Sequence, residues 1–535
     1  MNTTSKSKEQ SSDSLWKMAE CHGVSRRTFL ALLSSGGATA VLAACQGANT
    51  STSIPQPQNA PLKDTELIYA SATALAKAIR TKQVSSVEVV QAYVQRIEAI
   101  NSKLNAVVQL TAETALAQAR EADAALARGE IKGSLHGVPF TVKDNIETAG
   151  VICTAGTKGR ATFVPSHDAP IVSRLRAAGA ILLGKTNMPE LGLGVETDNL
   201  VYGRTNNPYD TERIAGGSSG GEAALIAAGG SPLGLGNDAG GSIRSPAHFC
   251  GIAGLKPTSG RVSRTGHVPG FGGHLDALWL SGPMARFVED LWLTLPLITG
   301  VDGRDPAIVP MPLGDSYAVE LKRLKAAVYT QLPLSVGGVD QVVYPTPETV
   351  MTVTRAAKAL ADAGLHVEED RPPGIEYSWE LWFRLAAADG GAGLKAFLQQ
   401  IGTTEPSPLM QAALDAWAAY ALSTTELLGR IYQWDFFRSA MLSFMDKYDV
   451  LLCPANAESA PRHGVSFTPA AFPAFAYPMA YNLTGWPAAV VRAGISPDGL
   501  PIGVQIVGRP WREDVVLAVA QHIETALGGW QRPSL

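Results

Sequence analysis

Two glycine loops rich in serine are the parts of this chain most suited to surrounding a reacting group. The first reads GGSSGG at residues 216–221, and the second reads DAGGS at residues 238–242. A helix-like run, EAALIAAGG, and a strand-like run, SPLGLG, separate the two loops, which a plain linker would not contain. Glycine tolerates positive φ and lets a backbone approach a ligand closely. The pattern therefore predicts a loop, a helix, a strand and a second loop, with serine hydroxyls in both loops.

Several kinds of chemistry compete for these serines. A phosphate-binding loop needs GxxxxGK[ST], which the serine-rich segment lacks. A nucleophile elbow needs GxSxG directly after a strand, with acid and histidine partners further along the chain. The spacing Gly216-x-Ser218-x-Gly220 fits that pattern, but the polar, turn-like stretch NNPYDTERIA precedes it. A serine esterase that uses Ser218 is therefore kept as an alternative.

A longer set of motifs resembles the amidase signature family, whose members hydrolyse amides with a Ser–Ser–Lys triad. The resemblance rests first on the run at residues 216–262 and on LHGVPFTVKDNI at residues 135–146. Further matches are ILLGKTNMPELG, GPMARFVEDL, YDVLLCPA, NLTGWPAAVV and DGLPIGVQIVGRP. The likeness extends from about residue 64 to the C-terminus and is weakest between residues 310 and 440. Within the family, the central motif is most similar to the fatty acid amide hydrolase type.

The resemblance implies a catalytic role for three residues, all of which are intact. Ser242 is the nucleophile, Ser218 relays a proton, and Lys143 is the base. A hydroxyl is a weak nucleophile until its proton is removed, and lysine can remove it only when neutral. Lys143 must therefore be buried, or face positive dipoles, so that its pKa falls. Its place at the end of the apolar run VPFTV is consistent with burial.

The same resemblance implies which groups meet the substrate. The residues expected to contact it are Gly192, Ser218, Ala239, Gly240, Gly241 and Ser242. The backbone of the second loop is expected to donate N–H groups to the negative oxygen of a tetrahedral intermediate. A cis peptide bond is implied between Gly217 and Ser218. Ser219 is expected to form hydrogen bonds around the triad, and Asp238 and Arg244 to brace the loop.

The alternation of short apolar runs with helical segments predicts an α/β fold. We expect residues 63–535 to form a single large domain, with a central mixed β-sheet covered by helices on both faces. Residues 376–447 interrupt the alternation with aromatic-rich helical sequence. Two interpretations stay open for these aromatics: a channel for bulky apolar or aryl acyl groups, or ordinary helix cores. The aromatics concerned are Trp379, Trp382, Phe383, Trp434, Phe436 and Phe437.

The first 45 residues are typical of a twin-arginine export signal. Arg26-Arg27 precedes a modestly apolar stretch that ends in the lipobox-like Leu42-Ala43-Ala44-Cys45. We expect export, lipid attachment at Cys45 and a membrane-anchored lipoprotein facing the periplasm or the cell exterior. The alternative is an uncleaved anchor. Residues 46–62, rich in Ser, Thr, Gln and Pro, predict a flexible linker.

Composition narrows the partners. A net charge of −4 and a pI of about 6.2 give no basic field for nucleic acid. No CxxC spacing or HExxH motif occurs, so we expect no metal and no cofactor. The expected partner is a small-molecule amide, and the chain is open to being a monomer or a homodimer. An exported solute-binding lipoprotein without catalysis is the remaining alternative. The component that produces ammonia for tRNA amidation is set aside, because the chain lacks a YDGVRYG-like segment and is expected to be exported.

Overall fold

The computed structural model describes residues 64–270 and 276–535. The helices are α1 (Asp64–Leu67), α2 (Ala72–Arg80), α3 (Ser86–Leu104), α4 (Ala112–Ala127), α5 (Pro170–Ala177), α6 (Gly220–Ala227), α7 (Arg244–Cys250), α8 (Val288–Ile298), α9 (Pro347–Asp362), α10 (Ser378–Ala386), α11 (Ala392–Gln400), α12 (Pro408–Ala418), α13 (Thr424–Met445), α14 (Met479–Leu483) and α15 (Glu513–Leu527).

The strands are β1 (Val107–Leu110), β2 (Pro139–Lys143), β3 (Ile181–Thr186), β4 (Leu233–Asp238), β5 (Ala253–Lys256), β6 (Leu280–Ala285), β7 (Lys325–Val328), β8 (Leu332–Val336), β9 (Val339–Val343), β10 (His366–Glu369), β11 (Val450–Pro454), β12 (Ala488–Ile495) and β13 (Pro501–Gly508).

Eleven of the strands form one mixed sheet in the order β1-β3-β2-β4-β6-β5-β12-β13-β11-β7-β10, and β8 pairs with β9 in a separate hairpin. The strand pairs β3–β2–β4 and β11–β7–β10 are parallel, whereas β4–β6–β5–β12–β13–β11 run antiparallel. The predicted α/β class, with one large mixed sheet flanked by helices, is confirmed.

Local signals in the sequence predicted several elements closely. Ser85 and Glu88 form the expected capping box at the start of α3. The alanine-rich helix α4 has Thr111 and Arg128 at its caps and ends before Gly129, which has a φ of +83°. The six apolar runs expected to be strands became β2, β3, β4, β11, β12 and β13. Strands with such continuous apolar runs are buried on both faces, and that is what the sheet requires of them.

The core has a large part around the sheet and a second part beneath the aromatic-rich helices. In the second part, Trp379, Trp434 and Phe437 pack with residues from β11 and α14. The thiols of Cys153, Cys250 and Cys453 are buried and unpaired. No helix within residues 64–270 and 276–535 is both long and apolar enough to cross a membrane. The predicted export signal, lipobox and linker lie outside the described residues.

Candidate active site

Strand pairing carries Lys143 to the edge of the sheet where parallel strands end. It is the last residue of β2, which lies in the sheet interior between β3 and β4. Because β2 and β4 are parallel, their carboxyl ends lie side by side, and this places Lys143 beside Asn237. Lys143 is fully buried. Its Nζ donates to Ser218 Oγ over 2.5 Å and to Asn237 Oδ1 over 2.6 Å.

The surroundings of Lys143 favour a neutral amine. Burial lowers the pKa of Lys143 well below its usual range, and the carboxylates of Asp238 and Glu222 oppose that shift only in part. Removing an amine from water penalises its charged form. The second contact of Nζ, Asn237 Oδ1, belongs to a neutral side chain whose Nδ2 donates to Asn145 Oδ1 over 2.6 Å. Lys143 can therefore accept a proton from Ser218 without first losing one to solvent.

Ser218 lies in the first glycine loop, immediately before α6. The Gly217–Ser218 peptide bond is cis, as the family resemblance implied. The Ser218 side chain is buried, and a Cβ built on Gly192 would lie 3.5 Å from Ser218 Oγ. Gly192 has a φ of +76°, which favours glycine on conformational grounds as well. Gly192 therefore leaves room beside the hydroxyl that Lys143 contacts.

Ser219 connects the two glycine loops. Its backbone N–H donates to Ser242 O over 3.1 Å, and its Oγ donates to Asn237 O over 3.2 Å. The predicted placement of Ser219 among hydrogen bonds around the triad therefore matches the geometry. Ser242 is partly exposed to the cavity. Its Oγ has no hydrogen-bond partner among the residues that the structure describes, so it is free to meet a substrate.

A buried ion pair shapes the second glycine loop. Asp238 accepts hydrogen bonds from the backbone N–H of Gly241 (2.8 Å) and of Ile243 (3.1 Å). The Arg244 guanidinium donates to both of its oxygens, over 2.8 and 3.0 Å, and neither side chain is exposed. Burial alone would raise the pKa of Asp238, but the charge and hydrogen bonds of Arg244 outweigh it, and the pKa lies below its ordinary value.

The remaining donors of Arg244 are also satisfied. They reach Pro478 O over 2.9 Å, Gln505 Oε1 over 2.6 Å and Asn482 Oδ1 over 2.5 Å. A guanidinium with this many fixed acceptors is rigid, and a planar fork of this kind suits a bidentate carboxylate. The expectation that Asp238 and Arg244 brace the loop is consistent with these bonds.

The second loop leaves particular N–H groups available. The Gly241 N–H is taken up by Asp238, and the Gly241 carbonyl accepts from Ser245 N–H over 2.7 Å. Within the described part of the chain, the N–H groups of Gly240 and Ser242 have no acceptor. The expectation that all of the loop amides face a substrate oxygen is therefore narrowed. Gly240 and Ser242 are free to donate, whereas Gly241 serves the loop itself.

A cavity of about 840 Å³ opens over Ser242. Its floor includes Gly192, Gly217, Ala239, Gly240 and Ser242, and its wall is mainly apolar. The wall comprises side chains such as Leu193, Trp279, Trp379, Trp382, Phe383, Phe397, Trp417, Phe467, Phe472 and Met479. Sites that bind organic ligands are typically concave and apolar, with few polar groups. The cavity has room for a large acyl group next to the nucleophilic serine.

The six aromatics of residues 376–447 divide between the two interpretations. Trp379, Trp382 and Phe383 line the cavity. Trp434 and Phe437 are buried in the helix core, where Trp434 Nε1 donates to Leu483 O over 2.7 Å. Phe436 is 76% exposed. The periodicity of α13 could not separate these outcomes, because the face that each ring takes depends on the helix beside it.

Two short patterns in the sequence lack the structural context that they require. No strand precedes Ser218, and its Oγ contacts a lysine rather than a histidine, so the geometry does not support a nucleophile elbow. The pattern GxxxxGK[ST] does occur at residues 179–186, but it runs into β3, and Lys185 is buried with Nζ donating to Thr148 Oγ1 over 3.1 Å. A phosphate-binding loop would need this lysine at a loop and facing a ligand.

Sequence reasoning missed two polar residues at the site. Asn237 directly precedes the DAGGS motif and holds Lys143 Nζ, while Glu222 lies in α6. Glu222 accepts hydrogen bonds from Thr141 and, over 2.7 Å, from Thr186. Burial raises the pKa of Glu222 to about 7, against the effect of these hydrogen bonds. A charged residue in the middle of an otherwise apolar helix, in EAALIAA, was the available signal.

Comparisons with known proteins agree with this site. The sequence profile of the Amidase family matches residues 88–517. The chain is 36% identical to the glutamyl-tRNA(Gln) amidotransferase of Moorella thermoacetica, in the A-type component of that enzyme, covering 86% of this chain and 97% of that protein. It is also 36% identical to the fatty-acid amide hydrolase 2-A of Danio rerio, covering 87% and 90%.

A solved structure shares the fold. It is that of a 6-aminohexanoate cyclic dimer hydrolase complexed with substrate, with a TM-score of 0.76 and 29% identity over 87% of this chain and 99% of that one. Since the family profile spans most of the chain and the architecture is shared, the chain belongs to the amidase signature family, whose enzymes cleave the C–N bonds of amides.

Proposed function

We propose that the protein hydrolyses a carboxylic amide to a carboxylate and an amine or ammonia, through an acyl-enzyme on Ser242. The observation that carries the proposal is the fully buried Lys143, whose Nζ lies 2.5 Å from Ser218 Oγ and whose pKa burial lowers. A buried lysine is not by itself sufficient, since Lys185 and Lys256 are also buried. Lys143 differs because its amine contacts a serine beside the cavity.

The proton follows a path through the first loop. As Ser242 Oγ attacks the amide carbon, its proton passes to Ser218 Oγ, and the Ser218 proton passes to Lys143 Nζ. The C–N bond then breaks as the proton returns by the same path to the leaving nitrogen. Water attacks the ester that remains on Ser242, and the same groups accept and return its proton. General acid–base transfer of this kind contributes about 10²- to 10⁴-fold to a rate.

The tetrahedral oxygen forms within reach of the second loop. The N–H groups of Gly240 and Ser242 are the free donors there, and Asp238 and Arg244 keep the loop in shape. Preorganised donors of this kind cost no rearrangement when charge develops on the oxygen. We therefore assign the oxyanion contacts to Gly240 and Ser242, with Ala239 and Gly241 shaping the loop around them.

The cavity favours an amide with a bulky apolar or aryl acyl group. Its wall is mainly aromatic and aliphatic, and Trp379 and Phe383 are among its rings. A glutamine-like substrate would bring charged groups that need buried polar partners, and a wall of this composition does not provide them. An apolar acyl amide is accordingly the better fit, although the relatives include amidotransferases.

The acyl-enzyme can be tested by its partition between two nucleophiles. Residues 46–535 are incubated with an anilide and with a primary amide of the same long-chain acid, in the presence of increasing hydroxylamine. If a common acyl-enzyme forms, both substrates give the same ratio of hydroxamate to acid. Ser242→Ala should abolish turnover, whereas Ser335→Ala, on the separate hairpin, should not. Different product ratios, or turnover by Ser242→Ala, would refute the assignment.

We also propose that the chain is exported by the twin-arginine route and anchored through a lipid on Cys45. Support comes only from the sequence, in Arg26-Arg27 and Leu42-Ala43-Ala44-Cys45. Radiolabelled palmitate fed to cells that express the full chain should label the wild type and not Cys45→Ala. Replacing both arginines by lysine should leave unprocessed protein in the cytoplasm. Equal labelling of the two proteins would contradict the lipid anchor.

A further inference from the structure

We propose that Trp382 is a positioning residue for the reaction, because it orients the peptide group between Ala239 and Gly240 at the oxyanion site. This inference rests on the proposed function. Trp382 comes from α10, in the part of the sequence that least resembles the rest of the family. It thus reaches the catalytic loop from the helices that form the cavity wall.

The contact between them is direct. Trp382 Nε1 donates to Ala239 O over 2.8 Å. The indole also packs against the next residue, since a Cβ built on Gly240 would lie 3.3 Å from Trp382 Cζ2. The Trp382 side chain is buried apart from a small exposed fraction, and its ring packs edge-on against Phe383 with centroids 5.0 Å apart. The indole therefore has little freedom to leave the loop.

The geometry of a peptide group turns this contact into an orientation. A trans peptide is planar, with its C=O and N–H pointing in opposite directions. The Ala239–Gly240 bond is trans, as the cis bonds in the described residues are Gly217–Ser218 and Val268–Pro269. If Trp382 holds the carbonyl oxygen of Ala239, the N–H of Gly240 must face the other way. Rotating this plane by half a turn would present a carbonyl oxygen where a donor is required.

The other peptide groups of the loop are held from within the sheet domain. Asp238 takes the Gly241 N–H, Ser245 N–H holds the Gly241 carbonyl, and Ser219 N–H holds the Ser242 carbonyl. The Ala239–Gly240 group differs because the side chain that holds it comes from a cavity-wall helix. Trp382 also lines the cavity. A bound acyl group would therefore pack against the same ring that orients the donor.

The test separates loss of the indole N–H from loss of the ring. Trp382→Phe keeps an aromatic ring in the wall and removes the donor. We expect kcat to fall by about 10- to 100-fold, with KM for a long-chain anilide within about threefold of wild type, since one oxyanion donor is worth about 10²–10³ in kcat. A matched control is Trp530→Phe, which removes an indole N–H that donates to Ala227 O over 3.2 Å, away from the cavity. It should leave both constants unchanged.

A pair of inhibitors provides a readout that a merely structural role would not change. A trifluoromethyl ketone with the same acyl chain accepts Ser242 Oγ at its carbonyl carbon. The new C–O bond leaves the negative charge on the former ketone oxygen, and the serine proton moves through Ser218 to Lys143. The matching secondary alcohol binds the cavity without reacting. Trp382→Phe should weaken the ketone by about the same factor as kcat, as expected for a transition-state contact, and leave the affinity for the alcohol unchanged.

Three outcomes decide the matter. A kcat for Trp382→Phe within about twofold of wild type, against the 10²-fold scale of a lost donor, would overturn the proposal. So would an equal loss of affinity for the ketone and the alcohol. Ser242→Ala serves as the arm for the proposed function: if the ketone still adds covalently to it, the nucleophile assignment is wrong, whatever Trp382 does.

A second substitution protects the test against misfolding. If Trp382→Phe does not fold, 3-benzothienylalanine at position 382 keeps the bicyclic shape and replaces the N–H by sulfur. The same fall in kcat and the same selective loss of the ketone are expected. Unchanged kinetics with this residue would overturn the proposal, because only the donor has been removed.

Discussion

On one side of the cavity, the groups proposed to do chemistry are carried by interior strands and by a buried ion pair. On the other side, Trp379 and Phe383 come from short helices and pack mainly against other rings. Lys143 is fully buried with named partners for Nζ, whereas much of the surface of α13 is exposed, as Phe436 shows. Hydrogen bonds are directional and burial of apolar area is not. The first side therefore specifies positions of atoms, and the second specifies shape and volume.

The comparison implies that changes on the two sides should have different kinds of effect. Substitutions on the strand side should affect the chemical step or the stability of the whole fold. Substitutions on the helix side should mainly change which acyl groups bind. The contact between Trp382 and Ala239 is the place where the two sides meet, so it is the exception to this division.

Removing the base should have the largest effect. We expect Lys143→Ala to lower kcat/KM for an amide by about 10³-fold or more, because loss of one member of a catalytic triad costs about 10⁴–10⁶ in kcat in other serine hydrolases. In wild type, kcat/KM should rise with pH as Lys143 loses its proton. It should level off well below pH 10.4, the usual pKa of lysine, because burial lowers this pKa.

The measurement is a pH–rate profile of kcat/KM, which reports ionisations of the free enzyme. The residual rate of Lys143→Ala should lack the rising limb that the wild type shows. A limb of the same position in both proteins would mean that another group is responsible for it, and Lys143 would then not be the base.

Breaking the buried ion pair comes next. Asp238→Asn leaves the Arg244 guanidinium buried without its counter-charge, which costs about 3–5 kcal/mol in comparable cases. We expect a fall of that size in the free energy of unfolding, measured by denaturant titration. The folded pKa of Asp238 lies below its unfolded value, so the ion pair stabilises the fold above the unfolded pKa. That stabilisation is lost as pH falls through the folded pKa.

An exposed ion pair provides the contrast. Arg128 and Glu130 lie 2.7 Å apart with about 60% of each side chain exposed, at 59% and 61%. Ion pairs of this kind contribute little to stability, so Glu130→Gln should leave the unfolding midpoint unchanged. Equal effects of Asp238→Asn and Glu130→Gln would contradict the idea that burial makes the difference.

A smaller effect is expected from the carboxyl group behind the base. Glu222 opposes the lowering of the Lys143 pKa, because its negative charge favours the ammonium form. Glu222→Gln removes this charge and keeps an acceptor for Thr186. We expect the rising limb of kcat/KM to move to lower pH, by about one unit or less, which corresponds to about 1.4 kcal/mol. A shift to higher pH would show that the carboxyl acts in another way.

The smallest effect is expected on the helix side. Phe383 lines the cavity, so Phe383→Ala should change the ratio of kcat/KM for a long-chain amide to that for acetamide by about 10-fold, because small changes in an apolar pocket are worth about 1–3 kcal/mol. Phe436→Ala, at an exposed ring outside the cavity, should not change this ratio. If both substitutions change it equally, the cavity is not the acyl pocket.

Local patterns in the sequence predicted much of the strand side. Apolar runs located β2, β3 and β4, and the capping box at Ser85 and Glu88 located the start of α3. The pairing of these runs was not readable in the same way, because it depends on contacts between distant segments. Asn237 shows this: only the parallel alignment of β2 with β4 brings it to Lys143.

The helix side was less predictable. Trp379, Trp434 and Phe436 all occur in aromatic-rich helical sequence, but they end respectively in the cavity wall, the core and the solvent. Helical spacing shows which residues share a face, and it does not show what that face meets. The hydrogen bond from Trp382 to Ala239 joins positions 143 residues apart, and no local signal announces it.

The amino-acid sequence by itself determined the residue types at Lys143, Ser218 and Ser242, the glycine loops around the two serines, and the order of strands and helices along the chain. Tertiary structure alone decided that the Lys143 amine is buried against Ser218, that Asp238 takes the Gly241 N–H, and that Trp382 holds Ala239. The reason is physical: propensity, capping and periodicity act over a few residues, whereas burial and hydrogen bonding between distant segments exist only once the sheet has formed.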